Sequence, residues 1–314
     1  MQSIVYAMRL VMLVKANVAD KTNIYHIWKQ LYSHDDGGSI DFFFEHYYDE
    51  CQTYLIKEND EIISGVCVFH HPIHLMNRIL EVSYLVGIFT IESHQQQGYM
   101  KKLLHQVLDV ESHQTLMTFL MAYQPKVYQS FGFKPLVDHQ IVSLSGSMIS
   151  PVSTMNITYQ VSSEQLLSVY RRFMSYFDGY KARTTQDFDS LKLDMQAQHG
   201  KVVGYVEKDN LLGYMAYILH DQQIEILEIT YFDVDTLMRL LYFASNINQS
   251  IKVHISAQER WERIFPKANI DIKPFLYARV NDIELFNDCY NSSVLSVSEI
   301  KNLVKKPLFF NEYQ

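Results

Sequence analysis

EVSYLVGIFT (Glu81–Thr90), QQQGYM (Gln95–Met100) and KKLLHQVLDVES (Lys101–Ser112) follow one another, with TLMTFLMAY (Thr115–Tyr123) and YQSFGF (Tyr128–Phe133) next. The first reads as an apolar strand, the second as a turn with one glycine, the third as a helix and the fourth as a second apolar strand. A strand that passes through such a turn into a helix builds an anion site. The first-turn amides have no intrahelical partner and the helix dipole is positive there, so a pyrophosphate docks on backbone alone. Gly98 permits close approach of the backbone to the phosphates. The stretch predicts a site for a phosphorylated cofactor, whereas QQQGYM taken by itself also reads as a polar loop.

Gln95-Gln96-Gln97-Gly98-Tyr99-Met100 resembles the acetyl-CoA turn of the GNAT acetyltransferases, Arg/Gln-x-x-Gly-x-Gly/Ala. Met100 departs from the small final residue, and the glutamines lack the positive charge that many relatives carry. Tyr128-x-x-Phe131-Gly132-Phe133 stands where such enzymes place a tyrosine beside the thioester sulfur. Within the group the chain looks most like the Eis-like subfamily, with two tandem GNAT-type domains and a sterol-carrier-like third domain.

The resemblance implies an α/β (α+β) fold of two tandem GNAT-type domains, mixed sheets flanked by helices, and a short C-terminal tail. Residues 1–145 would bind acetyl-CoA, 146–278 would form a second GNAT-like domain without the cofactor motif, and 279–314 a shortened C-terminal region. It further implies cofactor contacts from Ile88, Phe89, Thr90, Gln95, Gln96, Gln97, Gly98, Tyr99, Met100, Tyr123 and Gln124. An amide near Phe89–Thr90 would face the thioester carbonyl if the strand splays at a bulge, and Tyr128 would protonate the departing sulfur. A packed tyrosine is the plainer reading of Tyr128. A homo-oligomer is implied as well.

The chain of 314 residues, 48% hydrophobic, is long enough for two domains with a small appendage. No signal peptide or membrane span is evident, and Met8 or Met12 could serve as the start. Cys51, Cys67 and Cys289 are too few and scattered for a disulfide framework or a structural zinc site, which fits a reducing cytoplasm. His70, His71 and His74 lack a supporting ligand set, so no metal is expected. A net charge of −8 without a basic stripe disfavours nucleic acid and is compatible with a cationic small-molecule acceptor.

In chain order, Val11–Ala16 reads as a first strand, and Asp20 or Thr22 as the cap of a helix burying Ile24, Ile27, Trp28 and Leu31. His34-Asp35-Asp36-Gly37-Gly38 is a turn. In Asp41–Cys51 a helix packs Phe43, Phe44, Tyr47 and Tyr48 on the sheet; alternatively its acids, with Asp35 and Asp36, wall an amine pocket. Thr53–His71 is a hairpin turning at Glu58-Asn59-Asp60, Asp138–Leu144 completes the first sheet, and Ser145–Thr154 is a linker. The cycle then repeats, but Asp233 and Asp235 replace the glycine turn and repel a pyrophosphate.

Pro274–Phe286 resembles the entry to the Eis-like third domain, and Ser296–Gln314 its final helix and tail, with Ser296-x-x-Glu299 as a capping pattern. In Eis-like enzymes the terminal carboxylate reaches the active site, which singles out Gln314; Glu312 or the acids of residues 35–50 are the alternatives. An alkylammonium near ~10.4 and an α-carboxyl near ~3.5 differ by roughly seven pKa units, about 9 kcal/mol. Such a carboxylate is suited to holding the ammonium and passing its proton through water. Two functions follow: an acetyl-CoA-dependent N-acetyltransferase acting on a primary amine (aminoglycoside-like, polyamine-like or a lysine side chain), or a catalytically weak or inactive GNAT-fold protein that binds a CoA ligand for sensing or assembly.

Overall fold

A hairpin and a crossover, used twice, organise the chain. The computed structural model describes residues 12–33 and 36–313. Strand β1 (Leu13–Lys15) and helix α1 (Asp20–Leu31) precede α2 (Ser39–Phe42), which runs on as a π-helical turn over Phe43–Tyr47. Then come β2 (Gln52–Glu58), β3 (Glu61–Leu75), β4 (Arg78–Thr90), α3 (Tyr99–Ser112), β5 (Met117–Met121), α4 (Pro125–Tyr128) and β6 (Lys134–Ser145). The second half holds β7 (Ile157–Thr158), α5 (Ser163–Met174), β8 (Tyr180–Lys181), α6 (Thr185–Ala197), β9 (Lys201–Glu207), β10 (Asn210–His220), β11 (Gln223–Thr230), α7 (Val234–Ile247) and β12 (Ser250–Ser256). Last are β13 (Asn269–Val280), α8 (Ile283–Tyr290) and α9 (Val297–Leu303).

Strands β2, β3 and β4 pair antiparallel, and β4 and β5 pair parallel across α3. Likewise β9, β10 and β11 are antiparallel, and β11 and β12 are parallel across α7. A parallel pair needs a crossover of this length, so the two helices take equivalent places. The β2–β3 hairpin turns at Asn59 and Asp60, both at positive φ, as expected for a two-residue turn matched to strand twist.

The expectation that Asp138–Leu144 completes the first sheet needs correcting. All strands join one 13-stranded mixed sheet in which the order β5-β13-β6-β12 exchanges the last strands of the two halves. Tyr277 of β13 lies opposite Leu120 of β5, whereas Ile141 of β6 lies opposite His254 of β12. The reason is packing. Leu136 and Val137 at the start of β6 belong to the first core with Leu276 and Ala278, but Val142 and Leu144 belong to the second with Val253 and Ile255.

Local details also differ. Val11 lies outside the described residues, as do His34 and Asp35. Neither Asp20 nor Thr22 caps α1: Ala19 precedes it, and the Asp20 carboxylate accepts from the Asn17 amide at 2.9 Å and pairs with Lys57 at 2.6 Å. Ser296 makes no side-chain cap either; Glu299 instead accepts from the Leu295 amide at 3.1 Å. Among the described residues no helix is long and apolar enough to cross a membrane, and no group of His, Cys, Asp and Glu is placed to hold a metal ion.

Candidate active site

The parallel pairing of β4 with β5 covers only Val82–Leu85 against Met117–Leu120. Beyond Leu85, β4 continues alongside β3 to Thr90, so the two parallel strands part and leave β4 backbone groups facing an opening. A bulge accompanies the parting: Cys67 pairs with Val86, but Gly65 already pairs with Phe89. Gly87, at φ +58°, sits in that bulge. A Cβ there would lie 1.8 Å from the Trp28 ring, so α1 packs directly on the backbone where a side chain would otherwise stand. Beside it, the Tyr32 hydroxyl donates to the Ile88 carbonyl at 2.9 Å.

Past Thr90 the glutamines fasten the turn. Gln95 Nε2 donates to the Thr90 carbonyl at 3.2 Å and Gln97 Nε2 to the Ser93 carbonyl at 3.0 Å. Gly98, in the left-handed region, precedes α3, and no side chain caps its first turn. The space where a Gly98 Cβ would stand is open. The first-turn amides thus face a cleft of about 530 Å³ lined by Ile88, Phe89, Thr90, Gln95, Gln96, Gly98, Tyr99, Met100 and Gln124, with His94, Lys101 and Val127. Lys101 was missed in the sequence reading, although the Lys101-Lys102 pair directly follows the motif; it supplies the charge that the glutamines lack. Gln97 is occupied in the turn itself, and Tyr123 is 95% exposed and lines a different cavity.

Tyr128 ends α4, half-buried, with its ring edge-on to Phe133 at 6.3 Å. Burial pushes its phenol upward, so it keeps its proton and is suited to donate it.

A second cavity, about 360 Å³, is lined by neighbouring residues of the same segments. Val86 lines the cavity and Ile88, two residues on, lines the cleft; Tyr123 and Gln124 divide in the same way. Trp28, Phe42, Phe43 and Tyr47 form one part of its wall, α6 contributes Asp187 and Asp194, and the tail contributes Asn311, Glu312 and Tyr313.

Residues 14–136 match the family model described as an acetyltransferase (GNAT) domain. No curated protein matches the chain. Among solved structures, a conserved protein of unknown function from Enterococcus faecalis, described as a probable N-acyltransferase, superposes with a TM-score of 0.74 at 15% identity, covering 88% of this chain and 74% of that one. A GCN5-related N-acetyltransferase from Anabaena variabilis gives 0.73 at 12% identity, covering 87% and 73%. Eis1 from Mycobacterium abscessus gives 0.65 at 15%, covering 87% and 75%. These superpositions establish a shared fold. GNAT domains use acetyl-CoA, and the cleft suits it: uncapped helix amides, open space over Gly98 and a lysine in the first turn.

Among the described residues, the acids around positions 36–50 do not wall the cavity beside the cleft. Asp36 and Asp41 are held by Lys29 at 2.5 and 2.9 Å, and Asp49 by Lys21 at 2.8 Å. From that segment Ser39, Ile40, Phe42, Phe43 and Tyr47 reach the cavity, and its carboxylates come from α6, β11 and the tail. Sequence reading missed Arg183, buried at the centre of this wall. Its Nε donates to Glu312 Oε1 at 2.8 Å, its terminal nitrogens to Glu228 at 3.0 and 2.9 Å, and Nη2 also to the Asn311 carbonyl at 3.1 Å. Burial works against ionisation of Glu225, yet hydrogen bonds from His254 and Lys252 outweigh it and hold that carboxyl at about 2. Burial raises Glu312, with Arg183 and Lys181 opposing.

The tail is fastened from both halves. The Tyr84 hydroxyl donates to the Glu312 carbonyl at 3.3 Å, and His139 Nε2 bonds the Phe310 carbonyl at 2.7 Å. Burial drives the His139 pKa down to about 3, so the ring is neutral and this nitrogen carries its proton. Phe309, Phe310, Asn311 and Glu312 are all buried, whereas Gln314 lies outside the described residues.

Proposed function

We propose that the protein is an acetyl-CoA-dependent N-acetyltransferase acting on a primary amine of a small cationic acceptor. The observation that carries this reading is the parting of β4 from β5, where neighbouring residues of the same segments line a cleft ending at an uncapped helix and a cavity with carboxylates in its wall. Bound in the cleft, acetyl-CoA supplies the acetyl group as a thioester. The α3 amides and Lys101 would hold its pyrophosphate, and a β4 amide beyond the bulge would donate to the thioester carbonyl. Tyr128 would protonate the departing sulfur. The cavity carboxylates and the tail, including Gln314, would hold the acceptor's ammonium and relay its proton through water.

Residues 146–278 enter this reading as a second GNAT-type unit that shapes the acceptor cavity. Its helix α7 supports that role: the Asp233 carboxylate accepts from the Thr236 amide at 2.7 Å, so the helix start equivalent to the α3 site is already capped by an anion. A homo-oligomer in a cytoplasmic setting belongs to the same proposal.

Calorimetric titration with acetyl-CoA tests the reading. Micromolar binding is expected for the parent, with a loss on the order of 10²-fold in Gly98→Asp, which places a like charge at the pyrophosphate site. Open space at that Cβ leaves only the left-handed backbone cost, roughly 1–2 kcal/mol, so the variant should fold. Tyr128→Phe should bind acetyl-CoA normally and lose on the order of 10²-fold in kcat. Absence of binding in the parent, or binding untouched by Gly98→Asp, would remove the cofactor assignment.

A further inference from the structure

We propose that Asp194 is a specificity-determining residue of the acceptor cavity and selects amines that carry a second ammonium group. The inference rests on the acetyltransferase reading and adds a residue and an acceptor class to it.

Charge matching in the cavity wall singles out this carboxylate. Glu228 and Glu312 share Arg183, Asp187 pairs with Lys181 at 2.7 Å, and Glu225 pairs with Lys252 at 2.7 Å. Among the described residues, Asp194 is the cavity carboxylate without a cation in ion-pair range. Its hydrogen-bond partner is the neutral amide of Gln198, whose Nε2 donates to Oδ1 at 2.8 Å. Helix geometry aims it at the cavity: Asp187, Leu191, Asp194 and Gln198 recur at spacings of four, three and four, one face of α6, and all line the wall. Burial pushes the Asp194 carboxyl upward, which an arriving cation would reverse.

A second, independent observation points to a ligand. Asn311 lines the same cavity at 3% exposure, and its Oδ1 is buried without a hydrogen-bond partner. The amide orientation is fixed, because Nδ2 donates to the Leu227 carbonyl at 3.1 Å and to Glu228 Oε2 at 3.2 Å. The unpaired atom is therefore an acceptor and needs an N–H or O–H from the cavity's occupant. Trp28 Nε1, also buried and unpaired, takes a hydroxyl or carbonyl oxygen where the acceptor has one. One carboxylate and one orphaned acceptor suit an ammonium, which offers a charge and three donors. The volume, at the small end of the roughly 300–1,000 Å³ typical of ligand sites, suits a short diamine better than a large polycation.

The test compares acetylation of short α,ω-diamines with alkylamines of the same length, in the parent and in Asp194→Asn. The parent is expected to prefer diamines by about ten-fold or more in kcat/KM, the worth of one partly desolvated ion pair. In Asp194→Asn the diamine KM should rise about ten-fold with little change in kcat, so that the preference collapses. Calorimetry of a diamine added to the CoA complex should show the same loss of affinity without turnover. Turnover with the preference intact in Asp194→Asn, or no diamine preference in the parent, overturns the assignment. No turnover with any amine overturns the acetyltransferase reading and the assignment with it.

Discussion

Arg183→Ala is expected to cost roughly 3–5 kcal/mol of folding stability, the price of leaving buried charge without its partner. Arg183 is 6% exposed and its guanidinium serves two carboxylates and a tail carbonyl at once. Removing it strands Glu228 and Glu312, both nearly buried, in a wall whose other cation, Lys181, is 3.9 Å from Glu312 and already engaged with Asp187. The loss should therefore depend on pH. Burial raises Glu312 even with the arginine present, and without it the folded pKa of Glu312 rises further above the unfolded value near ~4.3. The native state then binds more protons than the unfolded one, so the deficit relative to the parent is largest at neutral pH and shrinks as pH falls toward the unfolded pKa. Urea unfolding of parent and variant near pH ~7 and pH ~5 measures this. Combining Arg183→Met with Glu228→Gln and Glu312→Gln should cost less than Arg183→Ala alone, because no buried charge is then orphaned. A deficit that is small and flat with pH would show that the network does not hold the tail against the cavity.

Local chemistry was legible in the sequence and long-range pairing was not. The Asn59-Asp60 turn and the glycine-led, uncapped start of α3 follow from a few adjacent residues, and the structure has both. The exchange of β6 and β13 depends on which distant strand offers the better partner, and no residue within Asp138–Leu144 states that choice. The glutamines of QQQGYM read as missing charge, yet Gln95 and Gln97 act as staples of the turn, a role that appears only once the Thr90 and Ser93 carbonyls are in place. The acids near the aromatic segment looked like a pocket wall because they neighbour aromatics in sequence; Asp49 pairs with Lys21, and Asp36 and Asp41 pair with Lys29, a helix away. Arg183 stood unnoticed in Lys181-Ala182-Arg183-Thr184, a stretch that reads as an ordinary solvated turn, because its two carboxylates lie 45 and 129 residues away.

Gly87→Ala should be strongly damaging, costing roughly 2–5 kcal/mol. Two terms add. A non-glycine residue at φ +58° costs about 1–2 kcal/mol, and overpacking a tight contact costs about 1–3. The contact cannot yield cheaply, since the new Cβ would lie 1.8 Å from the Trp28 ring, and that ring stacks on Phe43 at 4.7 Å and meets Tyr32 edge-on at 5.7 Å. Relief requires either that Trp28 swing away or that the bulge flatten. Swinging Trp28 disturbs the cavity that it lines, and flattening the bulge moves Ile88 and Phe89 in the cleft, so under the proposed function amine KM and acetyl-CoA affinity should worsen together. Gly132→Ala is the control. Gly132 also has positive φ, +89°, but nothing lies within 4 Å of its Cβ position, so it should show the backbone cost alone. Denaturant unfolding of the two variants side by side isolates the contact term. If Gly87→Ala is no worse than Gly132→Ala, Trp28 does not brace the bulge, and the parting of β4 from β5 must be held by the Tyr32 hydrogen bond to Ile88 and by the β3 register.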